Sequence, residues 1–241
     1  MKKPIPRPVK RMVWFLIMGA LAVSCTGLPE LHKTGSPEAS HTRRACQGRY
    51  PLGNWQLLHT IQAELPGNQT GFLMGVTRLS SQKRSFQCVI MTLEGFVVFD
   101  ALYDGTIRVD RAVAPFDNEA FARGVMADIQ LIFFKPSAND ITTGTLSDGT
   151  VVCRHYLEDG SVIDVAQPER HQWETRLYGP NHSLKRVITI INNENPNRDS
   201  LTGITDKIEL TARGTPGYKL VLDLVEALAL ESEDSTLPAS E

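Results

Sequence analysis

The 241-residue chain lacks the signatures of most enzymatic chemistries. It has no His-Glu-x-x-His, no Cys-x-x-Cys, no Gly-x-Ser-x-Gly elbow, no Gly-x-Gly-x-x-Gly turn and no Walker loop. Zinc hydrolysis, serine hydrolysis and nucleotide cofactors therefore find no support, and neither an enzyme, a cofactor nor a metal site is expected. Four cysteines in 26.7 kDa are too few for a miniature built on disulfides. There is no basic excess either: 25 Lys and Arg stand against 27 Asp and Glu, so the charge that neutralises nucleic-acid phosphates is missing. The longest uncharged apolar run, Met12 to Val23, falls short of the ~20 residues a spanning helix needs. What is present is a 41% hydrophobic share, enough for the core of one or two domains.

The net charge of −2 is an average over two unlike parts. Five of the 25 basic residues lie in 1–24 with no acid among them, so the rest carries 20 against 27, a net of −7. A cationic start, a short apolar run and small residues before Cys25 read as a signal segment, 1–24. Ala22-Val23-Ser24-Cys25 resembles a bacterial lipobox, with Ala22 where Leu is commonest. The resemblance implies lipidation of Cys25 and a lipid-anchored, envelope location; ordinary secretion with cleavage near Ser24, or a short uncleaved anchor, is the alternative. Thr26 stands where an inner-membrane retention signal would have Asp, which leans toward the outer membrane. Residues 25–53 are polar, without a sustained apolar period, and read as a flexible tether; 231–241 read as a disordered acidic tail. One domain, 54–230, remains.

Within it the dominant period is two. Trp55 to Ile61, Phe72 to Arg78, Phe86 to Thr92, Phe96 to Leu102, Trp173 to Tyr178, Ser183 to Ile191, Thr205 to Arg213 and Lys219 to Leu224 read as antiparallel strands. Val225 to Leu230 either prolongs the last strand or forms a helical turn, and Asn192 to Ser200 is a loop. Of Asp104-Gly105, Asp148-Gly149 and Asp159-Gly160, at least two are expected to turn hairpins, because Asp-Gly accepts the positive φ such turns need. One segment has helical spacing: Asn118 caps a helix over 118–133, with Phe121, Val125, Ile129 and Ile132 on its apolar side and Pro136 beyond its end. Gly124 in its middle points to a close backbone approach. The fold class is α+β, an antiparallel sheet curved into a half-open barrel around one main helix.

The segment Gly71 to Pro136 is similar to a family of uncharacterised bacterial lipoproteins whose domain resembles the lipoprotein-localisation factors LolA and LolB. The matching features are Leu93-Glu94-Gly95 with Val98-Phe99, then Tyr103-Asp104-Gly105, and Ala127-Asp128-Ile129-Gln130-Leu131 ending at Lys135-Pro136. The resemblance implies an incomplete barrel folded round helices and an apolar cavity for acyl chains. Leu73, Val76, Ile90, Val98, Phe99, Phe121, Val125, Ile129 and Phe133 would line it, or else fill an ordinary core.

Polar candidates are few. Asp128 and Gln130 interrupt the apolar helix and must find partners if buried; they either orient a ligand at the cavity mouth or tie the helix to strand backbone or to Arg123 or Arg154. Cys153 and His155 share one face of a strand, a structural pair more often than half a metal site. Of Cys46, Cys88 and Cys153, a Cys88–Cys153 bridge would join two strands and a bridge from Cys46 to either would pin the tether to the domain; the third alternative is that all three are reduced and buried. Two functions fit: a membrane-held protein that binds or passes on an amphipathic, acyl-bearing ligand, or a non-catalytic assembly lipoprotein docking an envelope partner.

Overall fold

The computed structural model describes residues 27–33, 35–67, 69–138, 140–192, 203–214 and 217–231. The signal segment, Cys25, most of the Asn192 to Ser200 loop and nearly all of the acidic tail lie outside them. The chain runs β1 (His32–Lys33), α1 (Ser36–Gly48), β2 (Asn54–Leu65), β3 (Gln69–Ser80), β4 (Ser85–Met91), β5 (Val97–Tyr103) and β6 (Ile107–Ala112). After α2 (Glu119–Phe133) come β7 (Asp140–Thr145), β8 (Val151–Tyr156), β9 (Val162–Glu169), β10 (Gln172–Tyr178), β11 (Leu184–Ile191), β12 (Lys207–Ala212) and β13 (Tyr218–Leu230). Thirteen strands form one antiparallel sheet, ordered β1-β7-β8-β9-β10-β11-β12-β13-β2-β3-β4-β5-β6.

Two meanders, β2 to β6 and β7 to β13, meet along the pairing of β13 with β2, which runs from Lys219–Glu64 to Leu230–Asn54. Val225 to Leu230 thus prolong the last strand. The three Asp-Gly pairs all turn hairpins, with Gly105, Gly149 and Gly160 at φ of 109°, 85° and 80°. The sheet is open, with β6 at one edge and β1 at the other, and α2 is the crossover between the meanders.

Residues of alternating parity on each strand face the helices. On β2 these are Trp55, Leu57, His59, Ile61 and Ala63; they continue across register as Leu79, Thr77, Gly75 and Leu73 on β3. At Gly75 a Cβ would stand 2.8 Å from Ile61 Cδ1, so the glycine makes room for the end of the Ile61 side chain. α2 lies on this face as expected: Asn118 Oδ1 accepts from the Phe121 amide at 2.8 Å, and Ala122, Met126, Ile129 and Phe133 form its buried stripe. Gly124 corrects its expectation, since a Cβ there would meet nothing within 4 Å. The glycine borders open space rather than a close backbone.

The larger correction concerns the tether. Residues 36–48 form α1, with Pro37 in its first turn, and β1 pairs with β7 through His32–Thr145 and Lys33–Gly144. α1 packs over β7, β8 and β9, and Cys46 bonds covalently to Cys153, 107 residues away. The partner of Cys153 is therefore Cys46 and not Cys88, which is free and buried. Burial, reinforced by the nearby Asp100 charge, pushes the Cys88 thiol up to about 12, so it is not a nucleophile.

Two stability measurements follow. Replacing both bridged cysteines, Cys46→Ser with Cys153→Ser, is expected to cost about 2–5 kcal/mol in a urea titration, because the bridge restrains a long loop of the unfolded chain. Gly124→Ala is expected to gain about 0.5–1 kcal/mol, and a loss would show that the space beside α2 is not open.

Candidate functional site

The nine residues expected to line a cavity divide into three groups. Ile90, Val98, Phe99, Ile129 and Phe133 are buried in one continuous core with Met126, Ile188, Ile208 and Leu210. Phe99 meets Phe121 edge-on, with ring centroids 5.2 Å apart. Leu73, Phe121 and Val125 are only half-buried and pack against that core. Val76 is corrected: it pairs with Leu58 and Val89 on the face away from the helices. It lies an odd number of residues from Leu73, so the pleat turns it outward.

Of the two readings the sequence left open, lined cavity or ordinary core, the buried members of this set belong to a packed core. Phe99, Met126, Ile188, Ile208 and Leu210 retain no exposed surface. What remains accessible is a rim. Ile61 and Leu222 are directly paired, Leu222 also faces the buried Ile208, and Leu73 pairs with Ile61; these three rows and Leu220 are half-buried apolar positions on the helix side. On α2, Phe121 and Val125 are likewise half-buried and pack against the same core, and a Cβ at Gly124 would meet nothing within 4 Å.

Asp128 sits at the centre of α2's polar contact with the sheet. Arg186 Nε on β11 donates to its Oδ1 at 2.9 Å, and the Tyr218 hydroxyl on β13 donates to Oδ2. Burial raises the Asp128 carboxyl, while Tyr218 and Arg186 oppose that rise; the same burial and the Asp128 charge raise the Tyr218 phenol. The expected partners are corrected, since Arg123 pairs with exposed Glu119 one turn back and Arg154 holds Asp164 through two 2.7 Å bonds. Asp128 ties the helix to the sheet, and the half-buried Gln130 accepts the capping amide of Phe134 through its carbonyl.

Cys153 and His155 do share a face, under α1, but among the described residues no three metal-ligating side chains converge. His155 and His59 are both buried and both held near 4. Burial lowers His59, whose ring lies 6.1 Å from that of Phe133. Burial also lowers His155, with Lys135, Arg49 and Arg43 adding positive charge.

Both imidazoles are neutral in the fold and protonate near 6.5 when unfolded. The unfolded chain thus binds more protons between pH 6.5 and 4, and stability falls as pH drops through that window, on the order of 3 kcal/mol per histidine. Asp128 acts in the opposite sense: its raised carboxyl makes a contribution that is present at low pH and lost as pH rises through its folded pKa. Urea midpoints near pH 7 and near pH 4.5 are expected to differ in that direction, and His59→Gln with His155→Gln to flatten the difference. An undiminished difference in the double variant would assign the acid sensitivity elsewhere.

No family model and no curated protein matches the chain. Among solved structures, the crystal structure of a LolA superfamily protein from Nitrosomonas europaea superposes with a TM-score of 0.50 at 13% identity, covering 81% of this chain and 94% of that one. A putative outer membrane lipoprotein-sorting protein domain from Vibrio parahaemolyticus gives 0.44 at 9% identity, covering 85% and 96%. The likeness is one of architecture: this chain has a LolA-type fold.

Proposed function

We propose that the chain is an envelope lipoprotein, held at the bacterial outer membrane through acylated Cys25, that binds an amphipathic, acyl-bearing ligand on the helix side of its sheet. The observation that carries this reading is the set of half-buried apolar positions at the edge of the core, Ile61, Leu73, Leu220 and Leu222 on the sheet and Phe121 and Val125 on α2. A surface both apolar and partly wet gains most from an acyl chain, at about 25 cal/mol per Å² removed from water. In this reading the open sheet curves as a half-barrel about α2. Support comes from the contacts of α2, which reaches β5 through Phe121 and β11 through Asp128. Those strands are six spacings apart, about 29 Å on a flat sheet, while the two positions are about 10 Å apart along the helix. Because α1 and β1 occupy most of the expected tether, only a short link separates Cys25 from the folded domain, which keeps the rim near the membrane surface.

A second reading, a docking lipoprotein, rests on β6. Ile107 to Arg111 are exposed on an edge strand that pairs with β5 on one side and with no strand on the other, with Arg111 over the exposed Phe96 ring at 5.0 Å. Such an edge is a template for a partner strand.

Native mass spectrometry of Cys25→Ser protein from the host envelope separates the two. A co-purifying acylated species, lost in Val125→Ser with Leu222→Ser while the thermal midpoint is retained, is the expected result. Ligand-free protein in stoichiometric complex with another subunit would replace the first reading by the second.

A further inference from the structure

Beneath α1 lies a narrow cleft that the rim does not use, with charged and polar side chains among residues whose accessible surface is mostly apolar. It is lined by Arg43, Cys46, Gln47, Tyr50, Lys135, Ile141, Cys153 and His155, encompasses about 200 Å³ including its open mouth, and is too narrow as it stands for a water-sized sphere. Two of its walls are buried side chains with unanswered polar atoms: the Tyr50 hydroxyl, on a residue 4% exposed, and His155 Nδ1, on one 3% exposed. Leaving such atoms unpaired costs on the order of 1–3 kcal/mol each, so two at one cleft call for an occupant.

The charge around the cleft says which kind. Arg43 and Lys135 line it, and no carboxylate does. A third cation stands behind the wall, with the Arg49 guanidinium 3.9 Å above the Tyr50 ring. Arg49 gives Nη2 to the Leu131 carbonyl and to Thr175 Oγ1, at 3.2 and 2.7 Å, but its Nε and Nη1 have no partner although the residue is 6% exposed. Arg43 spends one bond, 3.1 Å, on the Ile141 carbonyl and keeps its remaining donors. Two positive charges and two buried polar groups without partners line the cleft, a third cation stands behind Tyr50, and no carboxylate is among the lining residues. A carboxylate, with one charge and two oxygens, would leave much of this unanswered; a phosphate offers up to two charges and several acceptors.

We propose that this cleft binds a phosphate group, carried on a lipid head group or free, with Arg43 and Lys135 as its charged clamps and Tyr50 and His155 as neutral donors. The exposed Arg43 side chain, at the mouth, swings outward to admit it and closes over it. The disulfide forms one wall and fixes α1 against β8, so the two halves of the site are covalently registered. The site stands whether or not the apolar rim takes an acyl chain.

The test uses the full chain with its disulfide closed. Inorganic phosphate, and separately a six-carbon-chain phosphatidic acid below its micelle concentration, are titrated calorimetrically. Saturable one-site binding of at least one probe is expected. Arg43→Ala with Lys135→Ala should weaken it by about tenfold or more with the urea midpoint unchanged, and Tyr50→Phe by severalfold. Equal affinity for the two probes identifies the free ion as sufficient; binding of the lipid alone assigns a head group. Absence of saturation with either probe, or binding that both variants leave intact, overturns the site. So does a crystal grown in phosphate with only ordered waters on the Tyr50 hydroxyl and His155 Nδ1.

Discussion

An open sheet with one apolar face must have that face covered, and here fifteen residues of α2 do most of the covering. The sheet cannot cover itself, because its ends, β6 and β1, do not pair. The crossover from the first meander to the second is therefore also the plug, and its sequence answers to both duties. Ala122, Met126, Ile129 and Phe133 meet strands of the first meander and, with Ile188, Ile208 and Leu210, of the second. Removing α2 would expose both halves at once. Asp128 adds orientation to this burial: an ion pair to β11 and a phenolic hydrogen bond to β13 fix the helix's rotation where methyl groups alone would tolerate slippage.

α2 is about 22 Å long and approaches β8 and β9 at its C-terminal end, where Leu131 packs against the cluster of Cys153, Ile163 and Val165. The rest of that end of the face is covered by α1, which has few apolar residues with which to hold on. Its hold is of another kind: a covalent bond from Cys46 to Cys153, and the Arg49 guanidinium joining the Leu131 carbonyl of α2 to Thr175 of β10. Leu131 also belongs to the apolar cluster around Cys46, Cys153, Ile163 and Val165. The two helices are thus mechanically continuous, one secured by packing and the other by a bridge and a buried cation.

This division explains what could be read from the sequence. Strands with one buried face announce themselves by period two, and hairpins by Asp-Gly, so most of β2 to β13 was legible, as was the Asn118 cap. α1 was not, because the positions it buries, Cys46 and Arg49 with the half-buried Thr42, carry no apolar rhythm. Which cysteine joins Cys153 depends on where α1 lands, which no local pattern encodes. The partners of Asp128 lie 58 and 90 residues away, so a buried carboxylate could be recognised but not its counter-charge. Val76 is different: its parity relative to Leu73 was in the sequence, and period two already separates them. Whether the lining residues enclose a cavity or a core depends on the volume of Met126 and Phe99 fitted together, and alternation is blind to volume.

Under the proposed function, a packed core bears directly on how an acyl chain would be held. A chain that displaced Met126 or Ile129 would gain contacts that the helix lost, and at similar apolar area the exchange is close to neutral. Net binding can come only from apolar surface that the folded protein still shows to water, which is the rim and not the centre. Affinity is then bounded by the half-exposed area of Ile61, Leu73, Leu220, Leu222, Phe121 and Val125, and release needs no unfolding of α2. Under the proposed function, such a surface admits and releases a chain without rearranging α2, so that dissociation has to overcome only the binding free energy of the exposed apolar area itself.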